Sequence, residues 1–142
     1  METTLRSRLF TTANRLTRQN YTRSAAFKTA WQLAKGIATR VSGVTFGSRQ
    51  EAIERLSRYS PEKVKLSLSR EHNNQYDKNA VAIMVSVNGS KPYKIGYVPA
   101  ILSRIMASIP GIDSEKSVKA SIKAIVGGIY GNYYGLKLGL SL

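Results

Sequence analysis

Apolar residues recur every three or four positions through the first forty residues, which is the spacing of amphipathic helices. The recurrence is interrupted around residues 19–22, so the pattern predicts two helices with a break between them. We expect Ser24 to cap the second helix and Gly36 to end it. The apolar positions are Leu5, Leu9, Ala13 and Leu16 in the first stretch, and Ala26, Ala30, Leu33 and Ile37 in the second.

After about residue 40 the pattern changes to short β-branched and alternating runs that are separated by turn residues. Asn88 and Gly89 form a strong hairpin signal, because both residue types tolerate positive φ. Strands this short and closely spaced predict a mainly β, α+β fold, a small closed or partly open OB-like barrel of about six strands. The predicted strands cover residues 37–46, 63–69, 80–87, 93–98, 118–129 and 133–140, and the two predicted short helices cover 50–58 and 99–109.

The distribution of charge divides the chain into two predicted parts. The whole chain carries 22 Lys and Arg against 8 Asp and Glu, for a net charge of +14. Residues 1–40 hold half of this excess, since Glu2 is the only acidic residue among them. We therefore predict a basic helical arm over residues 1–37 and a barrel domain over residues 38–142.

A charge excess of this size attracts polyanions, although it does not identify a fold. Nucleic acid is the leading partner, and an anionic membrane surface and an acidic protein are the alternatives. The arm either packs its apolar stripe on the barrel or follows a phosphate backbone. Both are compatible, because one face of the arm can pack while the other binds. Arginine-rich, acid-poor amphipathic segments are also typical of mitochondrial transit peptides. The candidate phosphate contacts in the arm are Arg6, Arg8, Arg15, Arg18, Arg23 and Lys28.

Residue counts exclude several chemistries. The chain has no cysteine, which excludes disulfides, thiolate nucleophiles and Cys-ligated metals. His72 is the single histidine, so a histidine metal cluster is excluded as well. Without a phosphate-binding glycine loop, we expect a non-catalytic protein with no cofactor, metal or small-molecule substrate. No apolar run reaches the roughly 18 residues that span a bilayer, so we expect a cytoplasmic protein with no membrane partner.

A ten-residue polar loop between the second and third predicted strands carries the most specific chemistry. This loop, residues 70–79, holds three Asn, one Asp, one Tyr and several basic residues. Asn and Asp side chains can hold irregular backbone, which is the structural explanation for Asp77 and Asn79. Tyr76 among amide groups is also what a surface for stacking bases and binding phosphates requires.

Three sequence blocks resemble the HIRAN domain family and occur in that family's order and spacing. The hallmark is an apolar strand, then Arg-Glu, two residues, Asn-x-Tyr-Asp-x-Asn-Ala and an aliphatic strand. The resemblance covers roughly residues 38–140 and implies an OB-like barrel that binds the 3′ end of single-stranded DNA. The blocks are residues 70–81, residues 95–99 before an apolar helix, and residues 41–46 followed by Arg49 and Gln50.

The resemblance also implies roles for individual residues of a nucleotide pocket. Asn74, Tyr76 and Asp77 would lie at the pocket, with Asp77 accepting a hydrogen bond from a terminal 3′-hydroxyl. Phe46 would stack on a base, and Tyr97 would line the same cleft from the next strand. These assignments make the predicted site a combination of stacking rings and hydrogen-bonding groups.

The chain departs from the family pattern at four positions in or beside the three blocks. Thr45 stands in place of an arginine, and Ala100 in place of a lysine that contacts phosphate. Tyr97 replaces a histidine, and Gln75 stands where proline is usual. Nearby arginines can supply charge instead, and the complete predicted nucleic-acid-binding set is Phe46, Arg49, Arg70, Asn73, Asn74, Tyr76, Asp77, Tyr97 and Arg104.

A second class of function is open at this point. HIRAN domains usually lie inside larger helicase or nuclease chains, whereas here the domain is accompanied only by a basic arm. Such a protein suits a phage or mobile element, in which it would inhibit a host nucleic-acid enzyme in the manner of an anti-CRISPR protein. It could equally recruit a nuclease or helicase complex to DNA ends.

Overall fold

Two N-terminal helices precede six strands, and two shorter α-helices lie between strands. The protein is described by a computed structural model that covers residues 5–18, 22–106, 118–129 and 132–141, with side chains from Leu9 onward. The elements are α1 (Leu5–Arg18), α2 (Arg23–Lys35), β1 (Ile37–Arg40), α3 (Arg49–Leu56), a 3-10 turn (Pro61–Lys63), β2 (Val64–Arg70), β3 (Val81–Val87), β4 (Tyr93–Tyr97), α4 (Ala100–Met106), β5 (Lys119–Gly127) and β6 (Tyr134–Ser141).

The first two helices pair to form a helical hairpin, α1 with α2, as their apolar spacing predicts. The predicted cap at Ser24 is wrong, because α2 begins earlier, at Arg23, and Thr22 caps it. The Thr22 hydroxyl oxygen accepts a hydrogen bond of 3.2 Å from the backbone N–H of Ala25. The predicted stop at Gly36 is confirmed, since Gly36 has a φ of 110° and donates its N–H to Gln32 O.

The strands form two three-stranded antiparallel sheets, ordered β1-β6-β5 and β2-β3-β4. The chain itself joins them just after β1. The N–H of Val41 donates to Leu136 O on β6 at 2.9 Å, and Ser42 exchanges two backbone hydrogen bonds of 2.8 and 2.9 Å with Tyr97 on β4. The predicted strand over residues 37–46 is therefore correct only for Ile37–Arg40, since the chain then crosses from one sheet to the other and turns.

The described strands do not form a closed barrel. β2 and β5 are the outer strands of the two sheets, and neither is hydrogen-bonded to the other. A groove of about 610 Å³ runs between them, lined by residues that include Leu66, Leu68, Ala120 and Ile122. The architecture is a mixed α+β fold whose described strands form two open antiparallel sheets. Of the predicted closed or partly open barrel, the closed form is therefore not observed.

The β-hairpin of β3 and β4 in the second sheet contains the turn that the sequence predicts. Asn88 and Gly89 connect β3 to β4 with φ values of 53° and 73°, as the tight hairpin turn requires. One register shift interrupts the pairing of β3 with β4, because Ile83 pairs with Gly96 and the next pair is Met84 with Lys94. Ile95 is thus an extra residue in β4, which is a β-bulge.

One buried apolar cluster unites the helical hairpin with both sheets. Leu16 of α1 and Leu33 of α2 belong to the same buried cluster as Ile53 of α3, Val81 of β3 and Leu138 of β6. Burying each such side chain stabilises the fold by about 1.5–3 kcal/mol. The hairpin therefore packs on the sheets through its apolar stripe, with its described basic side chains from Arg15 onward left at the surface. In the described part of the chain, no helix combines the length and apolar character that crossing a bilayer demands.

Candidate nucleic-acid interface

The turn that carries Phe46 is held by the first two residues of α3. Arg49 donates from Nη1 to the carbonyl oxygen of Gly43 at 2.7 Å, and Gln50 donates from Nε2 to the carbonyl oxygen of Val44 at 3.0 Å. Gly43 has a φ of +71°, which favours glycine. These contacts fix the turn while the Phe46 ring stays 68% exposed.

The Arg49 guanidinium lies against two aromatic rings at once. Its central carbon is 5.7 Å from the ring centroid of Phe46 and 5.6 Å from that of Tyr97, both within the range of a cation–π contact. A side chain added at Gly43 would begin 3.6 Å from each ring and 3.3 Å from Arg49 Nη1. Phe46, Arg49 and Tyr97 therefore converge on one point of the surface.

The phenol of Tyr97 is fixed by a carboxylate and an ammonium group. Tyr97 donates its hydroxyl proton to Glu71 Oε1 at 2.8 Å and accepts a hydrogen bond from Lys94 Nζ at 3.0 Å. Lys94 also forms an ion pair with Glu71, and its ammonium lies 5.1 Å from the Tyr97 ring centroid. We call Phe46, Arg49, Glu71, Lys94 and Tyr97 the Arg49 cluster.

The ionisation of Glu71 and Lys94 reflects this pairing. Partial burial raises the pKa of Glu71, but hydrogen bonds from Lys94, Tyr97 and Asn74 outweigh it and bring the pKa below its usual value of 4.5. The hydrogen bond to Glu71 raises the pKa of Lys94 above 10.5. Both groups are therefore held in their charged forms, which makes them a fixed ion pair at the Tyr97 hydroxyl.

The β-bulge in β4 explains why Lys94 and Tyr97 can meet. In a regular strand, residues separated by an odd number of positions point to opposite faces. The extra residue Ile95 changes this alternation, so that the two side chains reach each other. Gly96 is needed at the same place, because a side chain there would overlap Val41 and come within 2.6 Å of Ser42 O.

The polar loop after β2 is organised by its own side chains. The carbonyl oxygen of the Asn74 side chain accepts from the backbone N–H groups of Tyr76 and Asp77 at 2.9 and 3.0 Å, and its amide nitrogen donates to Glu71 at 3.2 Å. Asp77 Oδ1 accepts from the N–H of Asn79 at 2.9 Å. The structural explanation given above thus accounts for part of the loop's polar content, and Asn74 links the loop to the Arg49 cluster.

The remaining predicted site residues differ in how far they are exposed to solvent. Tyr76 projects from the loop with 89% of its surface exposed. Among the others, Arg70 and Asp77 are half-buried, whereas Asn73 and Arg104 are exposed. Direct contacts join Phe46, Arg49 and Tyr97, and Asn74 joins them through Glu71. In the arm, Arg15, Arg18, Arg23 and Lys28 are exposed, while the side chains of Arg6 and Arg8 lie outside the described residues.

Three residues that the sequence prediction did not assign to the site hold it together. Glu71 and Lys94 fix the Tyr97 ring, as described above. Gln50 exchanges two hydrogen bonds with the backbone of Tyr134, of 2.9 and 2.7 Å, and so ties the start of β6 to the Phe46 turn. The one available signal for this arrangement was Gly96 inside a strand, because such a glycine often marks a bulge or a close backbone approach.

The charged side chains of this surface are not arranged for metal binding. Among the residues that the structure describes, no group of three or more His, Asp or Glu side chains is placed to hold a metal ion. The surface instead presents aromatic rings beside one arginine and one ion pair. That combination suits stacking and phosphate contact.

Comparison with known proteins gives one match. No curated protein and no solved structure matches the chain. The family model described as the HIRAN domain matches residues 36–135, which is most of the chain. HIRAN domains have an OB-like fold, and the match supports DNA binding. The chain belongs to the HIRAN domain family.

Proposed function

We propose that this protein is a non-catalytic module that binds single-stranded DNA at or near a 3′ end. The observation that supports the proposal most directly is the convergence of Phe46, Arg49 and Tyr97 on one exposed surface, with the guanidinium 5.7 and 5.6 Å from the two ring centroids. Aromatic faces accept any base, and arginine contacts the phosphate that accompanies it.

Phe46 and Arg49 contact different parts of one nucleotide, Phe46 the base and Arg49 the phosphate. The exposed Phe46 ring offers a stacking face, and its turn is already fixed by hydrogen bonds, so little ordering is needed on binding. A guanidinium has five N–H donors, and the bond to Gly43 uses one of them. The donors that do not face Gly43 can bind a phosphate oxygen next to the stacked base.

Glu71 determines where the phosphate can lie. Because the Tyr97 hydroxyl donates to Glu71, the phenol is engaged and its ring contributes a surface rather than a phosphate donor. Glu71 also neutralises the Lys94 ammonium, so this cation does not draw phosphate into the interior of the Arg49 cluster. The backbone of the strand is therefore kept at the rim, beside Arg49.

Asp77 supplies a physical reason for choosing a strand end. A free 3′-hydroxyl can donate a hydrogen bond to a carboxylate, whereas an internal nucleotide carries a phosphate at the same position. The phosphate would be repelled by the Asp77 carboxylate, so discrimination comes from a repulsive contact as well as an attractive one. Asp77 Oδ1 already holds Asn79, which fixes the orientation of the carboxylate.

Fluorescence anisotropy with matched oligonucleotides tests this function. One oligonucleotide has free ends, a second carries a 3′-phosphate and a third a 5′-phosphate, each at low and at high salt. We expect the 3′-phosphate to weaken binding and the 5′-phosphate to leave it nearly unchanged. Affinity should fall with salt, with a log–log slope of about −0.7 for each phosphate that the protein neutralises.

Single aromatic substitutions locate the site on the protein. Phe46→Ala and Tyr76→Ala should each weaken binding by about 1–3 kcal/mol if a base stacks on the lost ring. Tyr59→Ala is the matched control, since Tyr59 is also exposed but lines the groove between β2 and β5. Equal affinity for free and blocked 3′ ends, with wild-type affinity in both site variants, would remove the proposal.

A further inference from the structure

The outer face of the helical hairpin carries an exposed tryptophan. Trp31 is 55% exposed on α2, on the side away from the buried Ala26, Ala30 and Leu33. A large exposed indole is uncommon, because tryptophan is highly buried on average. The surroundings of this ring therefore need an explanation of their own.

Trp31 lies within one exposed stripe of basic residues. Ser24, Lys28, Trp31 and Lys35 follow each other at spacings of four, three and four residues and are all exposed, so they share one helix face. The Lys35 ammonium is 5.2 Å from the centroid of the Trp31 ring. Lys28 and Lys35 are separated by about 10 Å along the axis, from a rise of 1.5 Å per residue, and the indole lies between them.

The chain segment that carries this stripe has charges of one sign. No Asp or Glu occurs in the sequence between Glu2 and Glu51, whereas Arg and Lys recur throughout that interval. The aromatic surface continues beside the stripe, because Phe27 lies one turn before Trp31 and meets Phe10 edge-to-face at 5.4 Å. Charge complementarity therefore selects an anionic ligand that also has a flat apolar face.

We propose that Trp31 is a second stacking platform for single-stranded nucleic acid, with Lys28 and Lys35 contacting the phosphates on either side of the stacked base. This inference rests on the proposed function and extends it from the Arg49 cluster to the helical hairpin. A base on the indole displaces the Lys35 ammonium from the ring to a phosphate, so the lysine exchanges one favourable contact for another. DNA and RNA share the required chemistry, and both are included in the test.

Trp31 is the only tryptophan of the chain, so its fluorescence reports directly on this contact. The full-length protein is titrated with oligothymidylate, oligouridylate and an abasic oligonucleotide of the same length. The abasic strand has the phosphates but no bases. We expect strong quenching by the base-bearing strands and little by the abasic strand, even where anisotropy shows that the abasic strand is bound. Equal quenching by all three strands overturns the inference, because phosphates alone would then account for the signal.

Two substitutions at Trp31 measure its contribution to affinity. Trp31→Ala should weaken binding by about fivefold to a hundredfold, and Trp31→Phe should recover part of the loss, because a phenyl ring still stacks. Gln32→Ala is the control at the neighbouring exposed position on α2. Wild-type affinity in Trp31→Ala contradicts the inference, and since the side chain is largely exposed, folding is not expected to suffer.

The variant Phe46→Ala separates this inference from the proposed function. If Phe46→Ala weakens binding and alters end preference while Trp31 is never quenched, the function proposed for the Arg49 cluster stands and the inference fails. If base-bearing strands quench Trp31 but Phe46→Ala and a blocked 3′ end have no effect, the contact at Trp31 stands and the function proposed for the Arg49 cluster fails.

Discussion

The Arg49 cluster and the helical hairpin use positive charge in different ways. In the cluster, Arg49 is bonded to Gly43 and rests against two rings, and Lys94 is paired with Glu71. Along the hairpin, by contrast, the described basic side chains from Arg15 to Lys35 are exposed on helix surfaces in a segment with no acidic neighbour in sequence. One region holds its charge in a fixed geometry, and the other spreads it over a surface.

This difference predicts a difference in what each region contributes to binding. Charge spread over a surface attracts any polyanion, and its effect on affinity and association rate falls with salt. Charge held beside fixed rings and a carboxylate can distinguish one arrangement of atoms from another, because the wrong arrangement meets repulsion. We therefore expect the helical hairpin to supply affinity, and the Arg49 cluster together with Asp77 of the polar loop to supply selectivity.

The largest expected effect on stability comes from disrupting the close approach of β4 to the segment after β1, which positions Tyr97. Gly96→Val places a side chain against Val41 and Ser42 O, where no space exists, and so disrupts the backbone bridge between Ser42 and Tyr97. We expect the free energy of unfolding to fall by about 3 kcal/mol, as for overpacked interiors. Chemical denaturation measures this change.

A second glycine in a strand provides the control for Gly96. A side chain at Gly139 of β6 would meet chiefly the flexible end of Lys123, which can move away. Gly139→Ala should therefore change stability by no more than about 0.5 kcal/mol. Similar losses in the free energy of unfolding in both variants would show that the bridge between Ser42 and Tyr97 has no particular importance for stability.

The next effect concerns the hairpin alone. Replacing Arg15, Arg18, Arg23 and Lys28 with glutamine should weaken binding of single-stranded DNA by about tenfold to a hundredfold at low salt. The magnitude of the salt slope should fall by about 0.7 for each phosphate contact that is lost. The preference for a free 3′ end should remain, because the hairpin does not read the end. Anisotropy titrations over a range of salt concentrations give both quantities.

A variant with the same change in net charge shows whether position matters. Glutamine at Lys63, Lys91, Lys119 and Lys123 also removes four exposed positive charges, but from the sheets and their turns. If its salt slope falls as far as that of the hairpin variant, binding depends on net charge and the comparison between the two regions loses its meaning.

The features that the sequence predicted well are those set by local patterns. Apolar spacing predicted both helices of the helical hairpin, and Gly36 marked the end of α2. Asn88 and Gly89 marked the turn between β3 and β4. Glycine and asparagine signal such positions because they tolerate positive φ. The family motif contains Phe46 and Tyr97, and the structure brings both rings against Arg49. Their role in binding stays a prediction. The cap was misplaced because Thr22 and Ser24 are both good capping residues, and only the start of the helix distinguishes them.

The features that could not be predicted depend on contacts between distant strands. Lys94 reaches Tyr97 only because the bulge at Ile95 changes the alternation of β4, and the position of a bulge is set by pairing with β3. Gln50 bonds to the backbone of Tyr134, 84 residues later. The exposure of Trp31 was equally hidden, since helical spacing shows which residues share a face but not which neighbours cover it.

Removing the carboxylate of the cluster should have a moderate effect. Glu71→Gln leaves the half-buried Lys94 ammonium without its ion pair, so we expect a stability loss of about 1 kcal/mol. Glu54→Gln is the control, because Glu54 pairs with Arg58 at 3.4 Å across an exposed helix face, where such pairs contribute about 0.5 kcal/mol or less. Equal losses in denaturation would mean that the cluster is no more organised than an ordinary surface pair.

The smallest effect is the pH dependence of that same pair. Because the pKa of Glu71 is lower in the folded protein than its usual 4.5, its contribution to stability is complete above that value and is lost as the pH falls through the folded pKa. Because the pKa of Lys94 is raised above 10.5, its contribution is complete below that value and is lost as the pH rises through the folded pKa. Glu71→Gln should therefore flatten part of the loss of stability on the acid side, whereas the hairpin variant should keep it. Denaturation midpoints measured between about pH 5 and pH 3 test this, and an identical acid profile for wild type and Glu71→Gln would show that the pairing with Lys94 does not stabilise the folded cluster.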